Sequence, residues 1–221
     1  MNISLKKTLK RLYKSTWFVT LFATTMGVLL AFYLNDVSIR TKINQKKAVS
    51  IKSLALELKN NENTLVSSND NKKLTNFLQE LKKINGKISR VIEISTSERK
   101  KLEKKYHQLF NVVDSIKTNK DLYQYNVEYS FNLELNDLSD IAWETYKLSE
   151  VINEFDYECI QAFVGAYKLQ EIYLNEQQKL LNYFVNANHS KLLGELLIIQ
   201  QLKSQLINTI KQSQKQLMIC N

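Results

Sequence analysis

The chain has 221 residues with no proline and only four glycines, and 31 Lys/Arg against 22 Asp/Glu give a net charge of +9. Average usage would bring roughly 11 prolines in this length; since proline breaks helix interiors, its absence points to long helices and few tight turns. Residues 1–60 hold the whole excess, 11 Lys/Arg against Asp36 and Glu57, so the basic charge flanks an apolar run where cations meet lipid phosphates. This argues against a nucleic-acid groove, which would carry its charge on the folded domain.

Residues 1–15 form a short basic tail with Lys6, Lys7, Lys10, Arg11 and Lys14 and no acid. Thr16 to Leu34 then run uncharged, TWFVTLFATTMGVLLAFYL. As a helix this run is roughly 28 Å long, close to the hydrocarbon thickness of a bilayer. Only threonines interrupt it, and their hydroxyls can bond back to the preceding turn. Trp17 and Tyr33 suit the two interfaces. The expectation is a transmembrane helix over 16–35, with the lipid bilayer as first partner. A cleaved signal peptide fits less well, because its apolar region is shorter and ends in small residues, whereas this run ends Phe32-Tyr33-Leu34. The slight excess of basic residues before the span favours a cytoplasmic N-terminus, with the following chain outside.

Ala23, Gly27 and Ala31 stand four apart, with Thr20 and Thr24 alongside. Small residues at this spacing let helix backbones approach closely in lipid. Two readings stand, a self-association face that makes a homo-oligomer and ordinary span composition.

Residues 36–221 are expected to form one extramembrane domain. A stalk-like helix over about 39–66 carries Ile51, Leu54, Leu58 and Leu65 at helical spacing, and "SSNDN" at 67–71 breaks it. A second helix places Leu74, Phe77, Leu78, Leu81, Ile84, Ile88 and Val91 on one side. Ser95 and Glu98 form a capping-box pattern opening a third, with Leu102, Tyr106, Leu109, Phe110, Val113 and Ile116.

In "YQYNVEYSFNLEL" (123–135) the period changes to strict alternation, with Tyr123, Tyr125, Val127, Tyr129 and Phe131 on one face. Alternating aromatics signal an extended strand, yet no second run like it exists. Three outcomes are open: pairing with another copy, pairing with a partner's strand edge, or an extended path across the helices. Ser139 and Asp140 suit the start of a short helix holding Trp143, and Asp156 suits an N-cap. Two further helices flank "NANHS" at 186–190. The fold class expected is all-α: a transmembrane helix continuing into an elongated helical bundle, with one isolated extended segment near 123–135.

The block "LSDIAWETYKLSEVINEFDYECIQAFVGAYKLQEIY" (138–173), with the exit "GVLLAFYLND", resembles a widespread group of uncharacterised bacterial proteins with one N-terminal span and a helical domain. In that group the span often ends in an apolar-Ala-apolar-Asn pattern, and the later region reads LS-x-x-AW, then DY, then Y-x-LQ. The matching positions are Leu138, Ser139, Ala142, Trp143, Asp156, Tyr157, Tyr167, Leu169 and Gln170. The resemblance covers the first sixty residues and 138–173. It implies the architecture of a bacterial single-span protein and almost nothing about activity; with the orientation read from the charge bias, the placement expected is the bacterial inner membrane with the domain on the outer side. By their chemistry Trp143 and Tyr167 read as packing anchors, large side chains with a polar tip, and Gln170 as a neighbour one turn beyond Tyr167; a binding pocket formed by these three and Asp156 is the other reading.

No constellation for chemistry stands out. His107 and His189 sit with no Cys, Asp or Glu at metal-ligand spacing, and the glycines at 27, 86, 165 and 194 are too scattered for a phosphate loop. Cys159 reads as a buried inert thiol, and Cys220 as free or, in an oxidising compartment, an intermolecular bridge. No cofactor, metal, nucleic acid or small-molecule substrate is expected. Two function classes remain: a structural, scaffolding or interaction protein with an envelope partner, and a sensor that signals through the span. With about fifteen residues before the span, autonomous signalling is the weaker of the two.

Overall fold

The computed structural model describes residues 16–69, 71–186, 188–218 and 220; the basic tail expected over 1–15 lies outside them. A single 52-residue helix, α1 (Thr16–Ser67), opens the fold. Residues 19–42 are exposed throughout. Among the described residues α1 is the one helix long and apolar enough to cross a membrane, and none of its apolar window is buried. Its last four turns are different. Leu54, Glu57, Leu58, Asn61, Glu62 and Leu65 are buried against the domain, so one helix is bare at one end and part of the core at the other.

The next helix, α2 (Lys72–Asn85), follows Asn71, whose φ of 49° is left-handed, and stops at Gly86 with φ 71°. These are conformations that Asn tolerates and Gly adopts freely. This stop corrects the expected second helix, which was drawn through Ile88 to Val91. Val91–Ser95 form a strand, β1, with Ile92 and Ile94 buried. The capping box at Ser95 is present in full: Glu98 N donates to Ser95 Oγ at 3.2 Å, and Ser95 N donates to Glu98 Oε2 at 3.0 Å. It opens α3 (Thr96–Tyr106).

The third helix also ends earlier than expected. Phe110–Lys117 form β2, and Leu122–Tyr129 form β3. The sheet order is β1-β3-β2, antiparallel on both sides, with Ile92 opposite Tyr125 and Val112 opposite Val127. The alternating segment is therefore neither isolated nor bound to another copy, because both edges of β3 are paired within the chain. A bulge between Val112 and Asp114 leaves Val113 and Ile116 exposed. The fold is thus mostly helical with a small sheet rather than all-α. Phe77 of α2 centres the core below it, with the rings of Tyr106, Phe110, Tyr129 and Phe131 at 5.1, 5.9, 6.0 and 6.4 Å.

After β3 the chain runs extended to Asp140 and enters α4 (Ile141–Leu148), then a 3₁₀ turn (Glu150–Glu154). Two 29-residue helices, α5 (Tyr157–Val185) and α6 (His189–Leu217), finish the fold as an antiparallel hairpin, with α6 also packed along α1. Lys203 of α6 donates to the Ser68 carbonyl at 3.2 Å and to Ser68 Oγ at 2.6 Å. It thereby serves the C-terminal end of α1, where carbonyls lack helical partners. At the open end of the hairpin, away from the turn that joins α5 to α6, Cys159 and Cys220 form a disulfide, Cα–Cα 6.0 Å. This corrects the reading of two unrelated thiols. Both sulfurs are buried, and a spacing of 61 residues carries no motif by which sequence could pair them.

Candidate functional site

The polar chemistry of the domain concentrates where α1, α4 and α5 meet. Leu54, Glu57, Leu58, Asn61 and Leu65 fall at i, i+3, i+4, i+7 and i+11, one helix face. That face points inward, so a carboxylate and a carboxamide are carried into the core. A buried charge is costly unless fully hydrogen-bonded. Glu57 is only 8% exposed, and its two oxygens receive four donors. Ser139 Oγ (2.7 Å) and Ala142 N (2.9 Å) donate to Oε2, and Tyr167 OH (2.6 Å) and Trp143 N (3.3 Å) donate to Oε1.

Two of these donors are first-turn N–H groups of α4, which have no helical acceptor. Asp140, at the N-cap position, makes no side-chain cap bond. Glu57 takes its place from another helix, and its negative charge suits the positive end of the helix dipole. Burial first, and then the bond to Glu57 and its charge, raise the Tyr167 hydroxyl above its usual range. Tyr167 therefore remains a proton donor. Its ring stacks on Trp143 at 5.1 Å with 6° between planes.

One turn beyond Glu57, Asn61 pairs with the main chain of Ser139 in both directions. Its Nδ2 donates to the Ser139 carbonyl at 2.7 Å, and Ser139 N donates to its Oδ1 at 3.0 Å. The second Asn61 amide hydrogen goes to Gln170 Oε1 at 3.0 Å, and Gln170 Nε2 donates back to the Ser139 carbonyl at 3.0 Å. The same device recurs along the extended segment. Gln177 of α5 holds both the N–H and the carbonyl of Asn136, at 2.7 and 3.0 Å. Asn71 holds both groups of Glu134, at 3.0 and 3.0 Å. Three carboxamides thus stand where a neighbouring strand would, and satisfy the backbone of a segment with no strand partner there.

Beside this joint an open groove of about 490 Å³ lies between α1 and α4. Exposed Val49, Leu56 and Ile141 and the hydroxyls of Ser50, Ser53 and Thr145 line it, with Glu57 on its floor. Glu57 is the only charged residue of that lining, and its oxygens are engaged from within. The Tyr146 hydroxyl, also at the groove, is buried without a hydrogen-bond partner and is pushed up to about 12 by burial. Among the described residues, no group of three His, Cys, Asp or Glu could hold a metal ion.

The fold gathers Ser139, Trp143, Tyr167 and Gln170 into this one joint. Asp156 occupies the N-cap position of α5 but makes no side-chain cap bond, and Tyr157 is 75% exposed. Thr20, Ala23, Thr24, Gly27 and Ala31 lie on the bare part of α1. There Thr20 donates to the Thr16 carbonyl at 2.8 Å and Thr24 to the Thr20 carbonyl at 3.0 Å. A Cβ at Gly27 would meet nothing within 4 Å. Tyr123, Tyr125, Val127 and Tyr129 belong to β3, and Phe131 lies just past its end.

Sequence reasoning missed Glu57 and Asn61. Their signal was available, because both interrupt the apolar face set by Leu54, Leu58 and Leu65. Comparison with protein-family models, with curated proteins and with solved structures returns no significant match.

Proposed function

We propose that this is a single-span membrane protein whose elongated domain, held outside the cytoplasm, acts as a structural or interaction module rather than an enzyme. The carrying observation is the division of α1. Among the described residues none of its apolar window is buried, and its last turns are built into the core. A core helix would bury that part, and a cleaved signal sequence would end in small residues where this run ends Phe32-Tyr33-Leu34. The disulfide supports the placement, since such bonds persist in oxidising compartments and are rare in the cytosol. The satisfied Glu57 supports a joint over a catalytic acid, which would need free oxygen valence and access to substrate. The resemblance of 138–173 to the bacterial single-span group agrees with an inner-membrane location.

Trapping thiols in intact cells tests the reading: cells are acid-quenched, free cysteines are alkylated, and the protein is run without reductant. The proposal expects Cys159 and Cys220 unreactive until reduced. Two freely alkylated thiols in the native cell would overturn the outside placement.

A second reading has support in the same helix. Because Glu57 and Asn61 tie α1 to α4 and α5, a ligand that shifts α4 in the groove would move a helix continuous with the apolar segment. That is the geometry of a sensor passing a signal along its anchor.

A further inference from the structure

We propose that the end of the domain carrying Leu148, Tyr157 and Met218 rests on the bilayer surface, so that the domain lies against the membrane instead of standing clear of it. This rests on the single-span reading above. Their exposures, 89%, 75% and 78%, are the three highest among the exposed large apolar side chains of the described residues, the apolar part of α1 included. They are far apart in sequence, but short contacts place them at one end. Lys47 of α1 lies 5.1 Å from the Phe155 ring, Phe155 lies 5.1 Å from the Tyr146 ring, and Cys159 is joined to Cys220. Each of the three exposed residues is within two positions of a member of that set.

This end is the one nearer the apolar part of α1. α4 runs back along α1, from Ala142 at Glu57 to Ser149 and Val151 beside Lys46 and Lys42. From Asn35, where polar residues resume, to Lys47 is roughly 18 Å of helix rise. The polar layer of a bilayer takes about 5–8 Å of that, leaving a gap of roughly 10 Å for an upright helix. Membrane helices tilt by about 20° on average and up to about 40°. A tilt near 30° lowers a point 15 Å to the side of the axis by about 8 Å, closing most of the gap. Leu148, Tyr157 and Met218 supply apolar groups for the acyl boundary and exposed Lys42 and Lys46 supply cations for the phosphates, against the exposed acids Asp156 and Glu158 on either side of Tyr157.

The full chain in lipid nanodiscs containing anionic lipid, with the Cys159–Cys220 bond left oxidised, provides the test. One additional cysteine is placed by Phe22→Cys, Leu148→Cys or Val185→Cys and labelled with an environment-sensitive dye. Quencher-bearing lipids then report contact. Val185 is the control, an apolar residue 72% exposed at the far end of α5, about 42 Å of helix from Tyr157. The expected result is loss of fluorescence at 22 and 148 but not at 185, with the loss at 148 reversed by adding Lys42→Glu and Lys46→Glu. Quenching at 22 with position 148 as bright as 185 overturns the docking and leaves the span intact. No quenching at 22 overturns both. Equal quenching at 148 and 185 shows a dye that seeks lipid from either end, and also overturns the docking.

Discussion

The carboxamide of Asn61 holds the peptide of Ser139 in both directions, although 78 residues separate them. The Ser139 N–H and carbonyl are matched by a side chain that presents one donor and one acceptor, as a strand neighbour does. With Gln170 on the same carbonyl and Glu57 one turn away, this is where the helix bearing the apolar run becomes part of the domain.

That relationship predicts that two near-isosteric substitutions are both costly. Asn61→Asp keeps the acceptor but loses the donor and brings a charge against Gln170, so it should destabilise the domain by about 2–3 kcal/mol. Glu57→Gln keeps the shape but faces an amide donor toward N–H and O–H donors. It should cost a similar amount, about 3 kcal/mol, in the range for breaking a buried charged network. Denaturant unfolding followed by the near-UV signal of the stacked Trp143–Tyr167 pair measures both. Changes under 0.5 kcal/mol, a scale typical of exposed surface positions, would show that the joint is not structural.

The disulfide closes a loop spanning 61 residues, for which the chain-entropy relation gives about 4 kcal/mol. Cys220→Ser and chemical reduction should therefore lower the melting temperature to the same degree, and reduction should do nothing further to the variant. Calorimetry on the purified chain in detergent reads this directly.

Glu195 sets a pH dependence. It is 7% exposed, one of its oxygens has no partner, and burial together with the neighbouring Glu176 carboxylate pushes it up to about 7. Its folded value exceeds the unfolded one, near 4.5, so the folded state holds the extra proton between them. The resulting stability is present below the unfolded value and is lost as pH rises through about 7. Glu176, held below its usual range chiefly by the hydrogen bond with Glu195 and then by Lys179, is already ionised in that window. Unfolding midpoints should fall from pH 5 to pH 8, and Glu195→Gln should flatten the slope.

The small-residue stripe makes a prediction free of folding artefacts. Gly27 has open space where a side chain would go, so Gly27→Leu should leave the domain's stability unchanged. If Thr20, Ala23, Thr24, Gly27 and Ala31 form a self-association face, crosslinking in native membranes should lose the oligomer in this variant. An oligomer of unchanged yield would assign those residues to lipid contact alone.

The sequence made the apolar run, the breaks at 67–71 and 186–190, the capping box at Ser95, and Trp143 and Tyr167 as anchors readable, because each is written in neighbouring residues. It concealed two of the three strands. Ile84, Ile88 and Val91 are spaced as a helix face until Gly86 ends the helix, and Leu109, Phe110, Val113 and Ile116 fit a helical period as well as a short strand does. The Glu57 network and the Cys159–Cys220 bond were hidden because their partners lie between 61 and 110 residues away. Such pairings are decided by how helices cross rather than by local pattern.

The central claim is that α1 crosses a membrane and holds the domain on the side away from the cytoplasm. A C-terminal alkaline phosphatase fusion, which folds to an active enzyme only after export, measures this most directly. The account predicts an active fusion at the membrane that stays active in the Gly27→Leu background. A stable, membrane-bound fusion with no activity would contradict it.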